Sequence, residues 1–186
     1  MSTRNSTDDR ILDAAARCLQ LTGRAPIAEL ARQAGVSRPT VYRRFEDSDA
    51  VLRALWHREI ERLLARVKRE ATDRRTLVAQ AVRLAEQIST HDVLAPTFHT
   101  DAGLMTHYIV DRLGAGQRAL LEVMRDAIAR LQPGGTIRRG KADELAAMVL
   151  LIAQSAIQSR GMIADHLPAA AWKRELTRAL DGYLKP

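Results

Sequence analysis

An all-α chain of about nine helices is what the sequence predicts, and three observations lead there. Apolar residues recur at the 3.6-residue spacing of an amphipathic helix in nearly every segment. Strand-type alternation is almost absent, and glycine, proline and serine stand where helices would start or stop. At 186 residues the chain can bury an apolar core without a disulfide or a structural metal. Its one cysteine, Cys18, excludes an internal disulfide.

The elements follow in order. Ile11, Ala15 and Leu19 form one helical stripe, with Leu12 and Ala16 beside it. After Gly23, Pro26 in a first turn followed by Ile27, Leu30 and Ala31 predicts a short helix. Gly35 is placed to close it, because glycine accepts the left-handed conformation of a helix terminus. Ser37 offers a capping hydroxyl and Pro39 a first-turn residue, so Ser37 to Phe45 reads as a second short helix. A longer helix capped by Asp47 or Ser48 carries Val51, Leu52, Leu55, Ile60, Leu63, Leu64 and Val67 towards Glu70. Thr76 to Ile88 is helical, with Leu77, Ala81, Leu84, Ala85 and Ile88 at the required spacing. His91 to Gly103 is less regular and holds Pro96. Gly114 and Gly116 punctuate the chain before a helix bearing Leu120, Met124, Ala127 and Leu131, and Pro133-Gly134-Gly135 breaks it. Residues 141–162 form the most apolar helix, and Pro168 to Leu184 the last, with Trp172, Leu176, Ala179, Leu180 and Tyr183.

The formal charge is +7, carried almost wholly by arginine, which favours polyanionic partners. Its placement says more than its size. From Arg32 to Arg44 there are four arginines and no acid. No apolar run approaches the roughly 18 residues of a membrane span, and the polar start from Met1 to Arg10 has no apolar signal core behind it. The expected location is the cytoplasm, with no membrane partner.

Two short helices joined by a glycine-containing turn, the second basic and polar, form a helix-turn-helix pattern at Ile27 to Phe45. Leu30, Ala31, Val36 and Val41 supply small and branched contacts that lock such helices at a steep angle. The second helix would enter the major groove of double-stranded DNA with Ser37, Arg38, Pro39, Thr40, Tyr42, Arg43 and Arg44 at the interface. Arginine reads guanine O6 and N7 in a bidentate manner, and the threonine methyl meets thymine. The Tyr42 hydroxyl can reach a phosphate, a contact that positions without specifying.

These residues resemble the TetR family of transcriptional regulators. Ile-Leu-Asp-Ala-Ala at residues 11–15 is similar to that family's first helix, and Ala34 to Phe45 resembles its DNA-binding signature. The detailed resemblance covers about residues 10–56. It implies a three-helix DNA-binding domain at residues 1–46 and a helical effector-binding and dimerisation domain at 47–186. It also implies that the last two helices, about 141–162 and 168–184, pair across a homodimer. The chain departs from the family pattern in places. Ser48, between Asp47 and Asp49, stands where a phosphate-contacting lysine is common, and the second helix starts Pro26-Ile27-Ala28 in place of threonine or a basic residue. Both predict fewer phosphate contacts, with more reliance on Arg38, Arg43, Arg44 and the leading arm at Arg4 and Arg10.

Independently of resemblance, residues 141–162 carry Ala146, Ala153, Ala156 and Ser159 among larger aliphatics, and small residues permit close helix approach. The alternative is a central helix of a monomer. The resemblance further implies a small-molecule effector inside the second domain. Candidate lining residues are Trp56, Leu84, Ile88, Phe98, Met105, Tyr108, Met124, Met148 and Gln154, each of which could equally serve ordinary core packing. His91, His99 and His107, with Asp101, lack the close spacing of a zinc site, so neither metal nor cofactor is expected. Cys18 reads as a buried, inert thiol.

The expected function is a DNA-binding transcriptional repressor that sits on a palindromic operator as a dimer and is released by an effector. An enzyme is the first rival, but the chain has no nucleophile elbow, Walker loop or paired-histidine zinc helix. Gly114-Ala-Gly116 lacks both the third glycine and the preceding strand of a dinucleotide site. A helical adaptor for an acidic protein is the second rival, and it leaves the Gly35 to Tyr42 run without a purpose.

Overall fold

Eight α-helices and one 3-10 turn follow one another in the computed structural model, which describes residues 6–67, 70–95 and 114–186; no strand occurs among them. The helices are α1 (Thr7–Thr22), α2 (Ile27–Ala34), α3 (Arg38–Arg44), α4 (Ser48–Ala65), α5 (Arg74–Ser89), α6 (Ala115–Leu131), α7 (Ala142–Gln158) and α8 (Ala169–Leu184). The chain forms two compact units, Met1–Glu59 with Asp92–Ala115 and Ile60–His91 with Gly116–Pro186.

In the first unit, α1 begins at a reciprocal cap. Ser6 Oγ accepts from the Asp9 amide while the Asp9 carboxylate accepts from the Ser6 amide. The helix buries Ile11, Leu12, Ala14, Ala15, Cys18 and Leu19, and Gly23 ends it in the left-handed conformation. These side chains share one core with Leu30, Ala31 and Ala34 of α2, Val41 of α3, Val51 and Leu55 of α4, and Val93. Cys18 lies inside this core, and burial pushes its thiol pKa up.

In the second unit, α5 packs against α7 and α8, which pack on each other. Leu77, Val78, Val82, Ala85 and Ile88 of α5 are buried, with Leu145, Ala146, Val149 and Ile157 of α7 and Trp172, Leu176, Leu180 and Leu184 of α8. Arg74 joins α5 to the end of α8, donating from Nε to Asp181 at 2.8 Å and from Nη1 to the Thr136 carbonyl at 3.3 Å. The Arg138 guanidinium stacks over the Tyr183 ring at 4.6 Å.

Several boundaries differ from the sequence expectation. Pro26 and Pro168 are N-cap residues with extended backbone, one position before their helices. Gly116 lies inside the first turn of α6 and is buried. The fourth helix stops at Ala65, short of Glu70, because Val67 is exposed and finds no surface to cover. The most apolar helix stops at Gln158, one residue past Ile157, its last buried side chain. Of its small residues, Ala146 is inside the protomer core and Ala153, Ala156 and Ser159 are half-buried. Beyond Asp143 and Glu144 of its first turn, its exposed positions are Met148, Leu151 and Ser155, spaced i, i+3, i+7 along one face.

Candidate DNA interface and effector-side residues

The helix-turn-helix is set by its ends. Gly35 adopts φ +65°, and its amide bonds back to the Ala31 and Arg32 carbonyls, closing α2. Two residues on, Ser37 Oγ accepts from the Thr40 amide at 3.2 Å and lies 2.8 Å from Thr40 Oγ1, so α3 starts at once. Pro39 sits in the first turn, where an amide has no helical partner to lose. Underneath, Leu30 and Val41 are fully buried and Ala31 nearly so, with Val36 half-buried against them. Ala31 is small and buried in the core that α2 and α3 share, and small residues permit close helix approach.

With Val41 turned inward, the opposite face of α3 is left to solvent. Ser37, Arg38, Pro39, Tyr42, Arg43 and Arg44 are exposed and Thr40 is half-buried. Tyr42, an amphipathic ring that commonly seeks partial cover, is 55% exposed. Six of the seven sequence candidates thus lie open on one short helix and its cap. Thr40 is held in by its bond to Ser37, and Arg44 faces Asp8 of α1, with Nε 3.6 Å from Oδ1. An exposed pair of this kind is worth about 0–1 kcal/mol, so a phosphate can displace it.

Asp47, just before Ser48, is turned to structural use. Asp47 Oδ1 accepts from the Ala50 amide at 2.6 Å, capping α4, and lies 3.7 Å from Arg53 Nη2. On the far side of the motif, Arg17 of α1 donates to the Gln33 side chain and carbonyl at 3.3 and 3.4 Å. Glu29 accepts from Arg32 Nε at 2.9 Å and from Gln33 Nε2 at 2.7 Å, and these bonds hold its carboxyl down to about 2.

The effector-side candidates divide between the units. Trp56 is half-buried on the part of α4 that belongs to the first. Leu84 and Ile88 of α5, Met124 of α6, and Met148 and Gln154 of α7 belong to the second. Ile88 is buried, and Leu84, Met124 and Gln154 are half-buried. Gln154 Oε1 accepts from Gln117 Nε2 at 2.8 Å, a polar link between α7 and α6. Met148 stands apart, 41% exposed on the open face of α7. Phe98, Met105 and Tyr108 lie outside the described residues, as do His99, Asp101, His107 and Arg4. Sequence reasoning missed Arg58 and Glu59. The available signal was two adjacent charges interrupting the apolar stripe of α4 between Leu55 and Leu63.

Residues 11–55 match the family model described as bacterial regulatory proteins, tetR family. The chain is 42% identical over 183 residues to a protein of Mycobacterium tuberculosis named as an uncharacterized HTH-type transcriptional regulator, a match covering 97% of this chain and 96% of that one. A Mycobacterium bovis protein of the same description matches to the same extent, 42% over 183 residues. The chain belongs to the TetR family. It is a DNA-binding transcriptional regulator and not an enzyme.

Solved structures share the fold at low identity. RolR in complex with resorcinol aligns with TM-score 0.74 at 17% identity, over 96% of this chain and 87% of that one. The transcriptional repressor QsdR of R. erythropolis aligns with TM-score 0.71 at 13% identity, over 98% and 96%. FadR of Bacillus subtilis in complex with stearoyl-CoA aligns with TM-score 0.65 at 18% identity, over 94% and 98%. Among the described residues, no helix is long and apolar enough to cross a membrane.

Proposed function

We propose that this TetR-family regulator is a ligand-relieved repressor that binds a palindromic operator as a homodimer. The observation that carries the reading is the outward face of α3, where Arg38, Tyr42 and Arg43 stand in solvent around the buried Val41. Arg38, Arg43 and Arg44 read base edges or phosphates, Tyr42 reaches a phosphate, and the Thr40 methyl and Pro39 pack on the groove wall. Residues 1–46 act as the reading domain and 47–186 as the effector and pairing domain.

Dimerisation supplies what one short helix lacks. Two recognition helices related by a two-fold axis meet half-sites about 34–36 Å apart on one face of the duplex. Residues about 141–162 and 168–184, which include α7 and α8, form the pairing surface. Supporting this, α7 leaves Met148 and Leu151 exposed, at 41% and 56%, on the face its own protomer does not cover.

The effector is a small molecule held among Leu84, Ile88, Met124 and Gln154 of the second unit. Support comes from the shared fold of FadR, solved with stearoyl-CoA, and RolR, solved with resorcinol. Binding tilts α4 and changes the separation of the two recognition helices. Such coupling is typically about 1–3 kcal/mol and is reciprocal, so operator weakens effector binding by the same factor.

Fluorescence anisotropy on DNA upstream of the protein's own gene, over a range of salt, tests the reading. Binding that survives excess random DNA, with a steep salt slope and two protomers per site, is the expected result. One protomer per site, or affinity equal to that for random DNA at every promoter tried, would overturn it. The complex then serves to screen effectors by release.

A further inference from the structure

Arg58 lies on α4, and its side chain is only 14% exposed, too enclosed to be a surface charge offered to phosphates. Its guanidinium is spent on α1. Nη1 is 2.9 Å from Asp13 Oδ1 and 4.0 Å from Asp9 Oδ1, and it donates to the Asp9 carbonyl at 3.5 Å. Nε donates to Glu59 Oε1 at 3.1 Å. Glu59 is the one buried charged residue among the described residues.

The carboxylates that receive Arg58 also have other duties. Asp9 Oδ2 accepts from the Ser6 amide at 3.3 Å and from Ser6 Oγ at 2.8 Å, holding the first turn of α1. Asp8, its neighbour, is the residue that faces Arg44 at the last position of α3. Charged contacts therefore tie α4 to the start of α1, and Asp8 of that same first turn faces the end of α3.

We propose that Arg58 is a positioning residue for DNA reading, fixing α4 to the first two turns of α1, the helix with which α3 shares one core through Val41. The apolar core around Ile11, Val51 and Leu55 holds these helices together but is non-directional. A guanidinium is a rigid fork of donors, and charge-assisted hydrogen bonds are short and directional, so they define register where apolar contact alone permits sliding. Glu59 anchors the fork at Nε and leaves Nη1 aimed at Asp13.

The test uses two variants of opposite charge in the full-length protein. Asp13→Ala adds one positive charge per protomer, and Arg58→Gln removes one. If charge alone governs binding, the first variant binds DNA more tightly and the second less. If Arg58 positions α3, both weaken operator binding by about tenfold, while affinity for random DNA follows the charge change in each. Alanine is a strong helix former, so Asp13→Ala retains its fold, which a circular dichroism melt checks. It decides the matter alone should Arg58→Gln unfold. Asp13→Ala binding operator as tightly as the parent, or losing operator and random DNA equally, would overturn the proposal. The inference rests on α3 as the DNA reader, which Arg43→Ala tests separately, so the two failures are distinguishable.

Discussion

In the first unit, α2 and α3, of eight and seven residues, are held by their ends; in the second, α7 and α8, of seventeen and sixteen residues, are held by their faces. A helix of two turns has few internal bonds to offset the cost of nucleation. Gly35, Ser37 and Pro39 therefore fix where α2 stops and α3 begins, and Leu30, Ala31 and Val41 fix the angle between them. In the second unit α5 starts at a capping box of Asp73 and Thr76, but Lys141 and Pro168, the N-cap residues of α7 and α8, make no side-chain cap bond. Their stability comes from stripes such as Leu145–Val149 and Trp172–Leu176–Leu180, where many apolar residues would serve. The α2–α3 pair is thus fixed by particular residues, whereas the second unit is free to exchange apolar residues while keeping its helices.

The comparison breaks most visibly if core truncations fail to separate the units. Leu30→Ala and Leu180→Ala each remove a fully buried side chain and are expected to cost about 2–5 kcal/mol. Leu30→Ala should eliminate operator binding while most helical ellipticity persists. Leu180→Ala should lower the main helical melt, and an unchanged melt would mean that the second unit is not held by its faces.

A smaller effect sharpens the contrast between reading and holding. Arg43→Ala is expected to cost about 1–3 kcal/mol of operator affinity and to relax discrimination at one base pair. Its melt should match the parent, because the side chain is exposed. Uniform weakening across all base-pair substitutions would instead make Arg43 a phosphate contact.

End-capping gives a paired test of smaller size. Ser37→Ala is expected to cost about 1 kcal/mol of stability, measured by urea unfolding. Lys141→Ala, at the other unit's uncapped helix start, should move stability by no more than a few tenths of that unit, roughly the value of an exposed ion pair with Glu144. Equal losses would remove the distinction between ends and faces.

The smallest effect is a pH dependence. The Glu29 carboxyl is lowered from 4.5 to about 2, first by Arg32 and then by Gln33. A depressed carboxylate contributes stability above its unfolded value and loses it as the group protonates in the fold. The contribution is therefore complete above about pH 4.5 and fades between there and about pH 2. Glu29→Gln should flatten the acid limb of the stability curve across that window, and a parallel shift of the whole curve would contradict the assignment.

What was legible in the chain follows the same division. Gly35, Ser37 and Pro39 announce their roles because few residues tolerate a left-handed closure, a capping acceptor or a first-turn ring. The Ala34 to Phe45 run, matched within the tetR-family model, was readable for the same reason. The ends of α4 and α7 were not. Val67 and Met162 keep the apolar spacing, yet only the fold decides whether a surface waits for them, and both are exposed. The Arg58 contacts with Asp9 and Asp13 span more than forty residues of sequence, and no local pattern encodes such a pairing. For the effector lining, Leu84, Ile88 and Met124 satisfy core and ligand alike, since both ask only for apolar volume.

The chain's two tryptophans fall one to each unit, Trp56 on α4 and Trp172 on α8. Trp172 is 2% exposed, donates its indole proton to the Ala156 carbonyl at 3.0 Å, and lies beneath the Arg160 guanidinium at 4.8 Å. Trp56 is half-buried, so the two indoles emit from environments of different polarity. Replacing either one with phenylalanine leaves a single indole in a chosen unit, which light of longer wavelength than the three tyrosines absorb excites selectively. The molecule therefore carries its own pair of optical reporters, one for the helix that bears Arg58 and one for the bundle that holds α7, and each can be read without an attached dye.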